Sequence, residues 1–141
     1  MTGGLLGLLA ALAVVAAVAV ATRGRGRVRA PARRRGLPAE VRALLDPDAE
    51  VTLVQVTTRF CAGCRRSRQV LGALVERTGG LRLAELDVTE RPALAADLGV
   101  LGTPTTIAYD RRGTELLRVT GVPDAEELSG ALTGPPRPSD G

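Results

Sequence analysis

Two cysteines separated by two residues are the side chains in this sequence best suited to chemistry. Cys61 and Cys64 are the only cysteines in the chain, and it contains no histidine. A tetrahedral zinc site needs four ligands, which the pair cannot supply alone. Haem attachment needs histidine directly after the second cysteine, where Arg65 stands. Since a static disulfide closing so short a loop stabilises little, the spacing favours a reversible redox pair.

A strand and a helix are predicted on either side of the two cysteines. Residues 51–56 form an apolar, mostly β-branched run, which indicates a buried strand. After Cys64, Leu71 and Leu74 recur at helical spacing. The pair therefore lies where a strand ends and a helix begins, and the free N–H groups of a helix N-terminus favour a thiolate.

The composition excludes several other functions. Phe60 and Tyr109 are the only aromatic residues, so a base-stacking surface is not expected. The absence of histidine excludes His-based catalysis and His-ligated metals. The net charge of +4 comes from arginines clustered in residues 23–35, and the rest of the chain is mildly acidic. We therefore expect no nucleic-acid partner, no metal and no organic cofactor.

The N-terminal segment is strongly apolar. Residues 1–22 carry no charge, and a helix over them would extend about 30 Å, the thickness of a bilayer core. A signal peptide is the alternative, since Ala19-Val20-Ala21 resembles a cleavage site, but the positive charges follow the apolar run instead of preceding it. The pattern predicts a single-pass helix in the cell membrane. The arginines after it predict a cytoplasmic catalytic domain.

The chain divides into four predicted segments. Residues 1–22 are a transmembrane helix, 23–36 an Arg-rich linker, 37–133 a folded domain and 134–141 a disordered tail. Within the domain the expected order is helix, strand, long helix, strand, short helix, hairpin, helix. This order predicts an α/β fold with a central mixed sheet flanked by helices.

Two motifs carry a resemblance to a known family. The first is FCAGC at residues 60–64, after a hydrophobic strand, and the second is GTPT at residues 102–105, after a short helix. With the following hairpin and Gly121, the region 51–132 resembles the thioredoxin family. The resemblance implies a thioredoxin-like fold and a thiol–disulfide oxidoreductase, here anchored in the membrane.

The resemblance also assigns roles to individual residues. It implies that Cys61 is the nucleophile and that Cys64 resolves the mixed disulfide. Pro104 matches a cis-proline, and the peptide unit at Thr103 would hydrogen-bond a substrate strand. Phe60 stands where the family usually has tryptophan. The expected partners are protein disulfides and a thiol electron donor, with the protein acting as a monomer.

Several positions depart from the family pattern. Gln55 stands where thioredoxins carry a buried acid, and glutamine cannot act as a general base. The lysine usually paired with that acid is expected at Leu83. Three arginines around the pair are expected to stabilise the Cys61 thiolate and to favour acidic partners: Arg59, Arg65 and Arg66.

Two other functions remain open at this point. One is a thioredoxin-like protein outside the cytoplasmic membrane, in envelope disulfide exchange or cytochrome maturation. The other is a binding module that kept the fold but has weak turnover, which Gln55 suggests.

Overall fold

The computed structural model describes residues 2–22, 26–29 and 36–134. The elements within these ranges, in chain order, are α1 (Thr2–Thr22), β1 (Arg27–Arg29), α2 (Ala39–Arg42), β2 (Val51–Thr57), α3 (Cys64–Arg77), β3 (Leu81–Asp87), α4 (Pro92–Asp97), β4 (Thr105–Asp110), β5 (Glu115–Thr120) and α5 (Ala125–Thr133). The sequence-predicted order of elements from α2 to α5 is confirmed.

The five strands form one mixed sheet in the order β1-β5-β4-β2-β3. β2 and β3 are parallel, because α3 crosses between them, whereas β4 and β5 form an antiparallel hairpin. β2 therefore lies between two partners and is buried along almost its whole length, as its apolar sequence predicts.

Helices cover both faces of the sheet. α2 and α4 pack on one face, through Val41 and Leu94, over Val56 and Ile107 of the sheet. On the other face, α3 and α5 bury a second aliphatic core that includes Leu53, Leu71, Leu74 and Leu128. These two cores are almost free of aromatic side chains, as the composition requires.

The first strand lies where the sequence predicts a linker. Arg27–Arg29 pairs antiparallel with Thr120 to Arg118 of β5. Gly26, directly before the strand, donates its N–H to the carbonyl oxygen of Val122 at 2.7 Å. A Cβ atom at Gly26 would lie 2.6 Å from the carbonyl oxygen of Thr120, so only glycine fits this approach. The remaining residues assigned to the linker, 23–25 and 30–35, lie outside the described residues.

The membrane prediction is wrong. In the described parts of the chain, no helix is both long and apolar enough to span a bilayer. The expected transmembrane helix, the cell-membrane localisation and the topology derived from the arginines are therefore corrected.

The C-terminal helix α5 has a capped first turn. The Asp124 carboxylate accepts hydrogen bonds from the N–H groups of Glu126 and Glu127, each at 3.0 Å, which satisfies two free donors of the first turn. The predicted disordered tail lies, apart from Gly134, outside the described residues.

Candidate active site

The two cysteines form a disulfide at the start of α3. Cys61 and Cys64 are joined in one bond, with their Cα atoms 5.5 Å apart. Cys64 is the first residue of α3 and is 4% exposed, whereas Cys61 lies in the preceding loop and is partly exposed. This asymmetry leaves one sulfur accessible to a partner and the other buried behind it. The free N–H groups of the first turn of α3 favour a thiolate at this position.

The loop before β4 lies against the cysteine loop. The Thr103–Pro104 peptide bond is cis. A Cβ atom at Gly63 would lie 3.2 Å from Cδ of Pro104, which shows how closely the two loops approach. Across the loops, the hydroxyls of Thr58 and Thr103 lie 3.4 Å apart. The structure thus brings together Cys61, Cys64 and the Thr103–Pro104 segment.

A third loop holds the proline segment from behind. Gly121, directly after β5, donates its N–H to the carbonyl oxygen of Pro104 at 2.8 Å. Its φ angle is 89°, in the region that favours glycine. A Cβ atom there would lie 3.4 Å from Cα and 3.7 Å from the backbone N of Gly26, which is ordinary van der Waals contact. Backbone conformation, more than lack of space, therefore explains the glycine.

Two large apolar side chains are exposed in the loops of the site. Phe60, directly before Cys61, is 88% exposed. Leu101, three residues before Pro104, is fully exposed, although sequence patterns did not single it out. A loop leucine carries no periodic signal of burial, so only the three-dimensional structure identifies it as surface. An exposed apolar pair of this kind suits contact with a partner.

The three arginines near the pair differ in their surroundings. Arg59 forms an exposed ion pair with Glu90, so its charge is already partly compensated. Arg65 and Arg66 lie in the first turn of α3, are exposed, and form no ion pair with any described residue. Two uncompensated positive charges therefore lie beside the disulfide.

Nearby, Asp87 is held ionised at the end of β3. The Thr89 side chain and backbone N–H hydrogen-bond to its carboxylate and, with Arg59 and Arg91 close by, keep the pKa of Asp87 below its usual value. Thr89 in turn accepts a hydrogen bond from the N–H of Arg59 at 2.9 Å. These contacts fix the start of the cysteine loop to the end of β3.

A buried polar cluster lies on the inner side of Cys64. Gln55, fully buried in β2, donates a hydrogen bond from Nε2 to the carbonyl oxygen of Cys64 at 3.0 Å. Thr106 is the register partner of Gln55 in β4, and Ser67 lies one turn after Cys64 on the buried face of α3. We call these residues the Gln55–Ser67–Thr106 cluster. It is partly unsatisfied, because Gln55 Oε1, Ser67 Oγ and Thr106 Oγ1 lack a partner among the described residues.

From the sequence, Leu83 is expected at the position of the lysine that thioredoxins pair with the buried acid. The sheet register shows that this expectation is wrong. The sheet register places Leu83 beside Leu53, and Glu85 beside Gln55. Glu85 is exposed and forms an ion pair with Arg68 of α3. Its carboxylate is therefore engaged by Arg68 on the edge strand β3, next to Gln55 in the register. The mistake arose because the register of parallel strands depends on the crossover helix and not on local sequence.

No metal centre is present in the described residues, where no group of three or more Cys, Asp or Glu side chains could hold an ion. A partly exposed and a buried cysteine lie at a helix N-terminus and face a cis-proline loop on a mixed sheet. This arrangement defines a dithiol–disulfide protein.

Comparison with known proteins agrees with this description. A family model for a thioredoxin-like domain matches residues 40–133. The chain is 32% identical to a thioredoxin of Streptomyces clavuligerus over 66 residues, which are 47% of this chain and 60% of that protein. It is 27% identical to a thioredoxin of Chlamydia caviae over 78 residues, covering 55% and 76% of the two chains. The match thus spans less than two thirds of the Streptomyces relative.

Solved structures show the same fold. A mutant thioredoxin from Halobacterium salinarum NRC-1 superposes with a TM-score of 0.55 and 29% identity, over 70% of this chain and 84% of that one. A thioredoxin of Fasciola hepatica gives a TM-score of 0.52 at 23% identity, over 62% and 82% of the chains, which shows the fold alone. The chain belongs to the thioredoxin family, and its relatives and cysteine pair support thiol–disulfide oxidoreductase activity.

Proposed function

We propose that the protein reduces or exchanges disulfides in protein partners, with Cys61 as nucleophile and Cys64 as resolving cysteine. The Cys61 thiolate attacks one sulfur of a partner disulfide, and the other partner sulfur leaves as a thiolate. Cys64 then attacks the Cys61 sulfur, which releases the second partner thiol and forms the Cys61–Cys64 disulfide. Two electrons pass from the dithiol to the partner, and a thiol donor restores the dithiol.

The observation that carries this proposal is the asymmetric burial of the pair beside the cis-proline loop. Cys61 is partly exposed and open to a partner sulfur, whereas the buried Cys64 would reach the mixed disulfide from within. Because a resolving cysteine must be protected from outside thiols yet adjacent to the nucleophile, the observed order of burial suits these two roles.

We further propose that partner segments bind across the neighbouring loops. The Thr103–Pro104 peptide bond is cis, and the backbone of Thr103 beside it would hydrogen-bond an extended segment. Phe60 and Leu101 offer exposed apolar area, and the exposed charges of Arg65 and Arg66 favour acidic segments. The preferred partner is thus an exposed disulfide in an extended segment with apolar and acidic residues.

Trapping of mixed disulfides tests the proposed roles. In a Cys64→Ser variant the mixed disulfide at Cys61 cannot be resolved, so partners should remain covalently attached and be released by reductant. The matched Cys61→Ser variant should capture none. Each variant replaces one sulfur with oxygen and removes the disulfide, so the two differ in which cysteine remains to form an adduct.

The binding-module alternative predicts a different result. Gln55 supports it, because an amide replaces the acid expected beneath the pair. If the Cys64→Ser variant binds partners reversibly but forms no covalent adduct, and the unmodified protein transfers no electrons, the protein is a binding module. Covalent capture that requires Cys61 would exclude this alternative.

A further inference from the structure

The Gln55–Ser67–Thr106 cluster is a buried polar site with its own donor and acceptor pattern. All three residues are fully buried. Gln55 Oε1 is an acceptor, while the hydroxyls of Ser67 and Thr106 can each donate and accept. None of the three atoms has a partner among the described residues. Buried polar atoms are normally satisfied by protein or by an ordered water, so three at one place indicate a bound molecule.

The position of the cluster relates it to Cys64. Gln55 and Thr106 are directly opposite each other on adjacent strands, so their side chains lie on the same face of the sheet. The Gln55 side chain reaches the backbone of Cys64, and Ser67 follows Cys64 on the buried face of α3. The cluster therefore lies between the sheet and the first turn of α3, on the inner side of the resolving cysteine.

We propose that this cluster binds one water molecule that stabilises Cys64 as a thiolate. The water accepts hydrogen bonds from Ser67 Oγ and Thr106 Oγ1. It donates one hydrogen to Gln55 Oε1 and the other to Cys64 Sγ. These four bonds use the full capacity of a water molecule and leave none of the three cluster atoms unpaired.

The inference rests on the proposed function, in which Cys64 resolves a mixed disulfide. Before it reacts, the Cys64 thiol loses its proton to a buffer base or to solvent. The thiolate then forms a bond to Cys61 Sγ, the bond between Cys61 and the partner sulfur breaks, and the partner leaves as a thiolate. A hydrogen bond from the water favours the charged sulfur, so Gln55, Ser67 and Thr106 act as positioning residues for this step. No carboxylate is required.

The two steps can be followed separately with an aromatic disulfide. Mixing the reduced full chain with dithiobis(nitrobenzoate) releases one coloured thiolate when Cys61 attacks and a second when Cys64 resolves. Ser67→Ala and Thr106→Val should slow the second release about tenfold near neutral pH and move the pH midpoint of its rate up by about one unit. The first release should keep its rate and pH profile.

Two further variants separate positioning from general damage. Thr106→Ser keeps the hydroxyl and should retain the second-step rate. Thr52→Val makes the same change in β2 at a buried threonine whose oxygen already has a partner, the N–H of Asp46 at 3.1 Å. It should leave both releases unchanged.

Three results would overturn the inference or its basis. Absence of any first release would contradict the proposed function itself. A normal first release, followed by an unaltered second release in folded Ser67→Ala and Thr106→Val variants, would refute the hydrated cluster alone. A Thr106→Val variant more stable than the unaltered protein would also refute it, since removal of an unhydrated buried hydroxyl relieves a cost.

Water detection keeps the inference testable if these variants do not fold. In the unaltered reduced protein, we expect magnetisation transfer from a long-lived water to the amides of Ser67 and Thr106. Its absence would refute the proposal without any substitution.

Discussion

Glu115→Gln should destabilise the protein strongly, because it leaves a buried guanidinium without its counter-charge. Arg118 donates from Nε and Nη2 to the two oxygens of Glu115, at 2.6 and 2.8 Å. The side chains are only 10% and 11% exposed. These bonds raise the pKa of Arg118 above its usual value, despite the opposing effect of burial. The substitution removes these bonds, but arginine is not deprotonated in proteins, so the guanidinium stays charged in the variant.

The magnitude follows from the burial of the pair. Removing one partner of a buried ion pair costs about 3–5 kcal/mol. We expect about 3 kcal/mol for Glu115→Gln, at the lower end, because both side chains keep some contact with solvent. The double variant Glu115→Gln/Arg118→Met removes the charge as well and should cost only about 1 kcal/mol. That remainder is the lost bond from Arg118 Nη1 to the carbonyl oxygen of Leu98, observed at 3.1 Å.

Urea unfolding of the single and double variants measures both free energies. The matched control is Glu126→Gln, which breaks the exposed pair with Arg77, where the side chains are 52% and 85% exposed. It should cost less than about 1 kcal/mol. If Glu115→Gln cost no more than this control, or the double variant cost as much as the single one, the reasoning from burial would be refuted.

Three other substitutions have defined outcomes. Leu71→Ala should lower the free energy of unfolding by about 3 kcal/mol, because Leu71 is fully buried. The control is Leu116→Ala, at a side chain that is 41% exposed, and it should cost under about 1 kcal/mol in the same urea titration. Gly121→Ala should cost about 1–2 kcal/mol because of its φ of 89°; an unchanged unfolding midpoint would show that this conformation is not required. Asp87→Asn should remove part of the acid sensitivity of stability. The pKa of Asp87 is depressed in the folded state, so its contribution to the free energy of unfolding is complete above its ordinary value near 3.8. This contribution is lost as pH falls through the lower folded-state pKa. A variant with the same acid transition as the unaltered protein would contradict this expectation.

Local patterns were enough to predict the domain's elements and the redox pair. The apolar run before Cys61 and the helical spacing after Cys64 are contained in one short stretch of sequence. The cis-proline loop could be placed only because GTPT at 102–105 resembles a known motif. Its contact with Gly63 depends on distant parts of the chain meeting.

The features missed by sequence reasoning all depend on long-range geometry. β1 is only three residues long and consists of arginines around Val28, so it has no apolar pattern, and its pairing with β5 is set by the rest of the sheet. The register that places Glu85 beside Gln55 depends on the crossover by α3. The shared burial of Ser67 and Thr106 likewise joins two elements far apart in sequence.

The membrane prediction failed for a different reason. Hydropathy describes which surroundings residues 1–22 tolerate and not which surroundings they have. An apolar sequence therefore does not by itself specify a membrane location, and the structure of the described residues does not support one.

The reduction potential of the Cys61–Cys64 pair is the most direct test of the central claim. The full chain would be equilibrated with glutathione buffers of increasing ratio, and the fraction of dithiol measured by thiol alkylation and mass. A redox-active pair predicts a single two-electron transition between about −270 mV, typical of thioredoxin, and about −120 mV, typical of a strong dithiol oxidant. A disulfide that remains intact below about −300 mV, as structural disulfides do, would contradict the assignment of this pair as the active site.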